Sequence, residues 1–188
     1  MAETKNVVDV HKGDFLSIDG EVCRVIEIDK KSGGGQFGSI VHVKYVVLST
    51  GSFHDRRFNP SDKVEVPDVQ MVKCVFSYKD QDTFYFMDEE NYEQYEVSAS
   101  SLGKFGNFLK ENDEVEVVIY EGRAISVNKP EKIKVKVLQT GDVSSGTDKS
   151  VWKPAVIEGN IEIMVPGFIK TGDSIMIDTE KFEYIGRE

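Results

Sequence analysis

The run Lys30-Lys31-Ser32-Gly33-Gly34-Gly35-Gln36 combines two ammonium groups, three consecutive glycines and a side-chain amide. Glycine has no Cβ, so backbone at this point can come close to another molecule. Unhindered amides there can donate hydrogen bonds to phosphate or ribose oxygens. The chemistry on offer is close approach and positioning. Lys30 and Lys31 either lend charge from the stem of the loop or are solvated, as charge runs usually are. Trp152 could stack on a base or close the end of a barrel. Cys23, Cys74, His11, His42 and His54 show no ligand spacing, so no metal site is expected.

The elements that must hold these residues are β-strands. Residues 21–28 and 40–48 are rich in β-branched side chains and flank the glycine run, which predicts a hairpin with that run at its tip. A further strand is expected over 52–58, after a turn at 49–52, and Pro60 and Pro67 punctuate the end of a first module. Strands over 72–78 and 83–88, and over 114–120 and 123–127, predict two more hairpins. Only 98–110 suggests a helix, capped by Ser98 or Ser100, with Leu102, Phe105 and Leu109 on one face and Gly103 and Gly106 weakening it. Beyond Pro130, short apolar runs at 132–138, 156–157, 161–165, 174–177 and 182–185 have barrel-like spacing. The expected division is 1–65, 66–129 and 130–188, an all-β chain of three small modules.

Charge separates the modules. Six basic against thirteen acidic side chains give 66–129 a net −7 of the chain's −10, leaving −1 for 1–65 and −2 for 130–188. Contacts with phosphate are therefore expected on the outer modules, where Lys30, Lys31, Arg56 and Arg57, or Lys149 and Lys153, could act locally. The N-terminus lacks a basic-then-apolar signal pattern and no apolar run approaches the roughly 18 residues of a membrane span, so a cytoplasmic location is expected. Cys23 and Cys74 each sit within an apolar run, the setting of reduced, buried thiols.

Lys153-Pro154-Ala155, residues 161–172 (Ile-Glu-Ile-Met-Val-Pro-Gly-Phe-Ile-Lys-Thr-Gly), Ile175 to Thr179 and the ending Tyr184-Ile185-Gly186-Arg187 together resemble the bacterial elongation factor P signature. The resemblance extends in one register to Phe86-Met87-Asp88 and Tyr92-Glu93-Gln94, to Asp19-Gly20-Glu21, and to Gly35-Gln36 at the tip. It implies an SH3-like (KOW-type) barrel followed by two OB-fold barrels in an L-shaped, tRNA-like arrangement. It further implies a monomer that binds both ribosomal subunits between the peptidyl and exit sites, beside peptidyl-tRNA, and promotes peptide-bond formation at stalled, polyproline-like sequences. No enzymatic activity and no cofactor are implied, because peptidyl transfer remains the ribosome's reaction. By the resemblance, the loop of Gly146, Thr147, Asp148 and Lys149, with Tyr184 and Arg187, corresponds to the part that meets mRNA in the exit site and the small subunit; alternatively Tyr184 packs and Arg187 pairs with a carboxylate.

The chain departs from the family pattern at a telling place. Gly34 stands where the family carries a modifiable lysine or an arginine, so the usual extended modification has no side chain to occupy. The glycine backbone and Gln36 could approach the acceptor end directly, or the hairpin tip could make no contact. Gly34-Gly35-Gln36 also matches the tripeptide with which class I release factors promote hydrolysis, a match too short to carry that reading. The loop before Trp152 is about one residue shorter than the family's and differently ordered, and Asn160 replaces a usual glycine while still tolerating positive φ. The expected identity is a divergent paralogue that rescues stalled synthesis without a tip lysine. The alternative is a tRNA-shaped ribosome-binding or regulatory paralogue without rescue activity. A general RNA-binding array of OB modules fits poorly with the acidic middle.

Overall fold

The computed structural model describes residues 3–31, 40–141 and 151–187. The chain divides into two compact units, one of Met1–Gly103 with Glu111–Asn128, the other of Lys104–Lys110 with Lys129–Glu188. Among the described residues no helix is long and apolar enough to cross a membrane.

The first sheet comprises β1 (Glu3–Asn6), β2 (Phe15–Ile18), β3 (Glu21–Lys31), β4 (Ile40–Val47), β5 (Phe53–Phe58) and β6 (Lys63–Val66), in the spatial order β1-β6-β2-β3-β4-β5. Asp19 and Gly20, both at positive φ (54° and 84°), make the tight β2–β3 turn, as an Asp-Gly pair does at a two-residue hairpin. Leu16, Cys23, Val25, Val43 and Tyr45 fill the core of this sheet, joined by Val7 and Val10 from the chain around the 3-10 turn Val7–Asp9. One bulge interrupts the β3–β4 ladder: Val25 faces Tyr45, Glu27 faces Lys44, and Ile26 is the extra residue between them. The outer sides of β3 and β4 are buried as well, because Val22, Val46, Leu48 and the partly buried Ile26 pack with Val118 and with the partly buried Val69, Tyr120 and Ile125 of the next sheet. Burial on both faces explains why residues 40–48 read as a nearly continuous apolar run.

The second sheet comprises β7 (Val69–Asp80), β8 (Thr83–Asp88), β9 (Gln94–Ser98), β10 (Glu114–Tyr120) and β11 (Arg123–Val127), ordered β11-β10-β7-β8-β9. Three strands, a helical connection and two further strands follow one another as in an OB barrel. Phe76 lies 5.6 Å from both Phe84 and Phe86, centroid to centroid, in tilted pairs that fill its core. The helix expected over 98–110 is only one α-turn, α1 (Ala99–Leu102), followed by 3-10 turns over Gly103–Phe108. Ser98 is its cap, its Oγ accepting from the Ser101 amide, and Gly103 at φ +56° breaks the α-helical path.

The third sheet comprises β12 (Lys132–Thr140), β13 (Trp152–Ile157), β14 (Ile161–Pro166), β15 (Ser174–Asp178) and β16 (Tyr184–Arg187), ordered β14-β13-β12-β15-β16. Val135, Val137, Ile157, Ile163, Val165, Ile175 and Ile177 form its buried core. The 104–110 segment belongs to this unit: Phe108 stacks on Phe182 at 6.1 Å and Asn107 Nδ2 donates to the Gly159 carbonyl at 3.4 Å. Asn160 adopts φ +55°, so asparagine does serve the turn where glycine was the family expectation.

Two outcomes are expected. Gly51 sits at φ +70° and a Cβ on it would lie 2.2 Å from the Ser100 carbonyl oxygen, so Gly51→Ala lowers stability by about 2 kcal/mol or more in chemical denaturation. Burial pushes the Cys23 and Cys74 thiols up to about 11, so both stay unreactive toward a disulfide reagent at neutral pH until the protein unfolds.

Candidate functional site

The tip hairpin is supported over its whole described length. β3 pairs with β4 from Cys23 opposite Val47 out to Lys31 opposite Ile40, and β5 runs beside β4 to Phe58 opposite Val41. The other edge of β3 is covered by β2 only from Glu21 to Arg24, with Val25 then held by backbone bonds from its amide to the Asp14 carbonyl and from the Gly13 amide to its own carbonyl. Farther out, the Lys30 ammonium donates to the Val8 carbonyl at 2.7 Å, tying the stem to the 3-10 turn. Ser32, Gly33, Gly34, Gly35 and Gln36 lie outside the described residues, and Lys31 is described as the last paired residue of β3.

The stem's ionic groups form a cross-strand lattice. Lys44 Nζ binds Glu27 Oε1 at 2.8 Å, His42 Nε2 meets Asp55 Oδ2 at 2.6 Å, and Arg56 holds both Asp19 carboxylate oxygens at 3.0 and 3.1 Å while lying 5.6 Å from the Phe58 ring. Arg56 is thus engaged with Asp19, whereas Arg57, opposite His42, is exposed on the edge strand. The hydrogen bond from His42, opposed by burial and reinforced by charge attraction from His42, Arg57 and Lys44, holds the Asp55 carboxyl below its ordinary value.

At the second predicted site, Gly146, Thr147, Asp148 and Lys149 also lie outside the described residues. The segments that flank them are well tied. Lys153, itself buried, donates from Nζ to the Gly141 carbonyl at 3.1 Å, Thr140 Oγ1 donates to the Pro154 carbonyl at 3.3 Å, and Gly167 donates its amide to Val151. Trp152 is half exposed and meets Tyr184 edge-on at 6.2 Å, while Arg187 binds Asp173 at 3.3 Å. Tyr184 also packs against the third core. The Lys30–Val8 and Lys153–Gly141 bonds leave no trace in residue spacing, because each joins an ammonium to a backbone carbonyl brought near by strand register.

Models of three domains match in order along the chain: the Elongation factor P KOW-like domain over residues 6–64, the Elongation factor P OB domain over 69–127, and the Elongation factor P C-terminal domain over 133–187. The chain belongs to the elongation factor P family. It is similar to elongation factor P of Thermotoga petrophila, 37% identical over 96% of this chain and 98% of that one, and to that of Thermosipho africanus, 33% identical over 97% and 98%. Among solved structures it resembles translation initiation factor 5A from Methanococcus jannaschii, at a TM-score of 0.52 and 23% identity over 67% of this chain and 94% of the other, a likeness of fold. As a member of the elongation factor P family the protein is a translation elongation factor.

Replacing His42 by alanine removes the Asp55 partner. A carboxyl held low contributes stability above its unfolded value and loses it as pH falls through the folded one. The expected result is an upward shift of the Asp55 midpoint in His42→Ala, followed by carboxyl carbon NMR, with little change at neutral pH in overall fold.

Proposed function

We propose that this protein binds the ribosome between the peptidyl and exit sites and speeds peptide-bond formation at proline-rich stalls without a tip lysine. The observation that carries this reading is the β3–β4 ladder, paired through Lys31 and Ile40 and braced by the Lys30–Val8 bond, which brings the chain to the glycine run on a supported stem. A loop held beside the acceptor end of peptidyl-tRNA restricts the geometries of a poorly reactive prolyl ester and so lowers the entropic part of the barrier. In this reading Gly33, Gly34, Gly35 and Gln36 supply backbone and amide donors where a modified lysine would otherwise reach, with Ser32 and Lys31 beside them. Residues 1–65, 66–129 and 130–188 act as three modules of a cytoplasmic monomer, a division supported by the matched ranges 6–64, 69–127 and 133–187. Gly146, Thr147, Asp148 and Lys149, with Tyr184 and Arg187 nearby in the sequence motif, face mRNA and the small subunit.

A second reading, a ribosome-binding regulatory paralogue without rescue, is favoured by one feature: Gly34 offers neither length nor charge at the tip. A purified translation system lacking elongation factor P, making a reporter with consecutive prolines, separates the two. The proposal expects restored synthesis from the unmodified protein, lost on deleting Gly33 to Gly35. Ribosome binding without restored synthesis contradicts it and selects the regulatory reading.

A further inference from the structure

The outer face of the second sheet carries an arrangement that the tip does not use. Register aligns Tyr78 of β7 with Tyr85 of β8, and Tyr85 with Glu96 of β9, in one row across three strands. The two tyrosine rings stack almost parallel, 4.5 Å between centroids and 15° between planes, and Tyr78 is 46% exposed. Asp80 follows Tyr78 by two residues, and so lies on the same face of β7. The backbone beneath is fixed, since the alternate residues Phe84, Phe86 and Val97 are buried on the other side. The nearest lysine in β7, Lys79, points away from the row and lies 5.1 Å from the Phe84 ring. Burial, then the charges of Glu96, Tyr78 and Asp80, raise the Tyr85 hydroxyl above its ordinary value.

We propose that this face, centred on Tyr78, Tyr85 and Glu96, binds an arginine-bearing segment of a basic protein. A guanidinium is planar and can lie on a tyrosine ring while its N–H fork meets a carboxylate, whereas an ammonium satisfies only the charge. Charge complementarity selects the class of partner: the module holds −7 of the chain's −10, which attracts a cationic protein segment and repels phosphate. The proposal does not depend on the glycine tip, and its failure leaves the reading of the tip intact.

The test is amide NMR titration of the full chain with two short peptides that differ only in carrying arginine or lysine, and separately with a single-stranded RNA oligonucleotide. The arginine peptide is expected to shift the Tyr78, Tyr85 and Glu96 amides and to bind roughly fivefold more tightly than the lysine peptide. Glu96→Gln, which keeps side-chain shape, and Tyr78→Leu are each expected to weaken it by roughly three- to tenfold. Glu121→Gln, the same charge change at the β10–β11 turn, is expected to leave it unaltered. Equal binding of both peptides with equal losses in Glu96→Gln and Glu121→Gln would reduce the effect to diffuse acidity and overturn the proposal. So would shifts produced at this face by the RNA, or an arginine peptide that leaves these amides unmoved.

Discussion

Two-sided burial of the β3–β4 ladder is the constraint on which the first unit depends. Val25, Val43 and Val47 face one core while Val22, Val46 and Leu48 face the second sheet, so the same two strands are inner wall for one module and contact surface for the next. A strictly alternating ladder sends every second residue to the same side. The extra residue at Ile26 resets that alternation, so that Ile28 again packs against the first core while Ile26 joins the contact with the second sheet. A register slip of one residue would exchange the two faces and expose both apolar sets. Beyond the bulge the same ladder runs on to Lys31 and Ile40, so the packing that joins two modules also fixes where the glycine run begins.

This arrangement suits the positioning role proposed above. Binding energy from large, remote surfaces can be used to hold one small segment beside a reacting centre. The side groups on the stem serve that end: Lys30 is committed to Val8, Lys44 to Glu27 and Arg56 to Asp19, which leaves the ladder laced from several directions. Each exposed pair contributes about 1 kcal/mol or less, so their combined value is orientation more than stability.

Strands with strong β-branched patterning were legible from the residues alone. Those at 83–88, 114–120 and 123–127 have the expected limits, and the glycine run does lie between two paired strands. The short strands β1, β2, β6 and β9 were not visible, because four or five residues with mixed burial leave too little periodicity to stand out. β13 was read as two residues rather than Trp152–Ile157, since Lys153 and Pro154 look unlike strand residues; Lys153 is nonetheless buried and Pro154 pairs with Met164. The helix came out shorter because Gly103 takes a conformation that ends it. At the candidate site, the residues themselves pointed to the glycine run and the family resemblance to Tyr184 and Arg187; the alternative of a packed tyrosine and a carboxylate-paired arginine is what the structure shows, and only the partners, Trp152 and Asp173, come from strand register, which sequence spacing does not carry.

The most direct measurement is a cryo-electron-microscopy structure of ribosomes stalled on consecutive prolines with this unmodified protein bound. The account predicts ordered density for Gly33 to Gly35 against the acceptor end of the peptidyl-tRNA, with backbone amides within hydrogen-bonding distance of its phosphate or ribose oxygens. A protein bound elsewhere, or bound between the two sites with the glycine run turned away from the acceptor end, would contradict it.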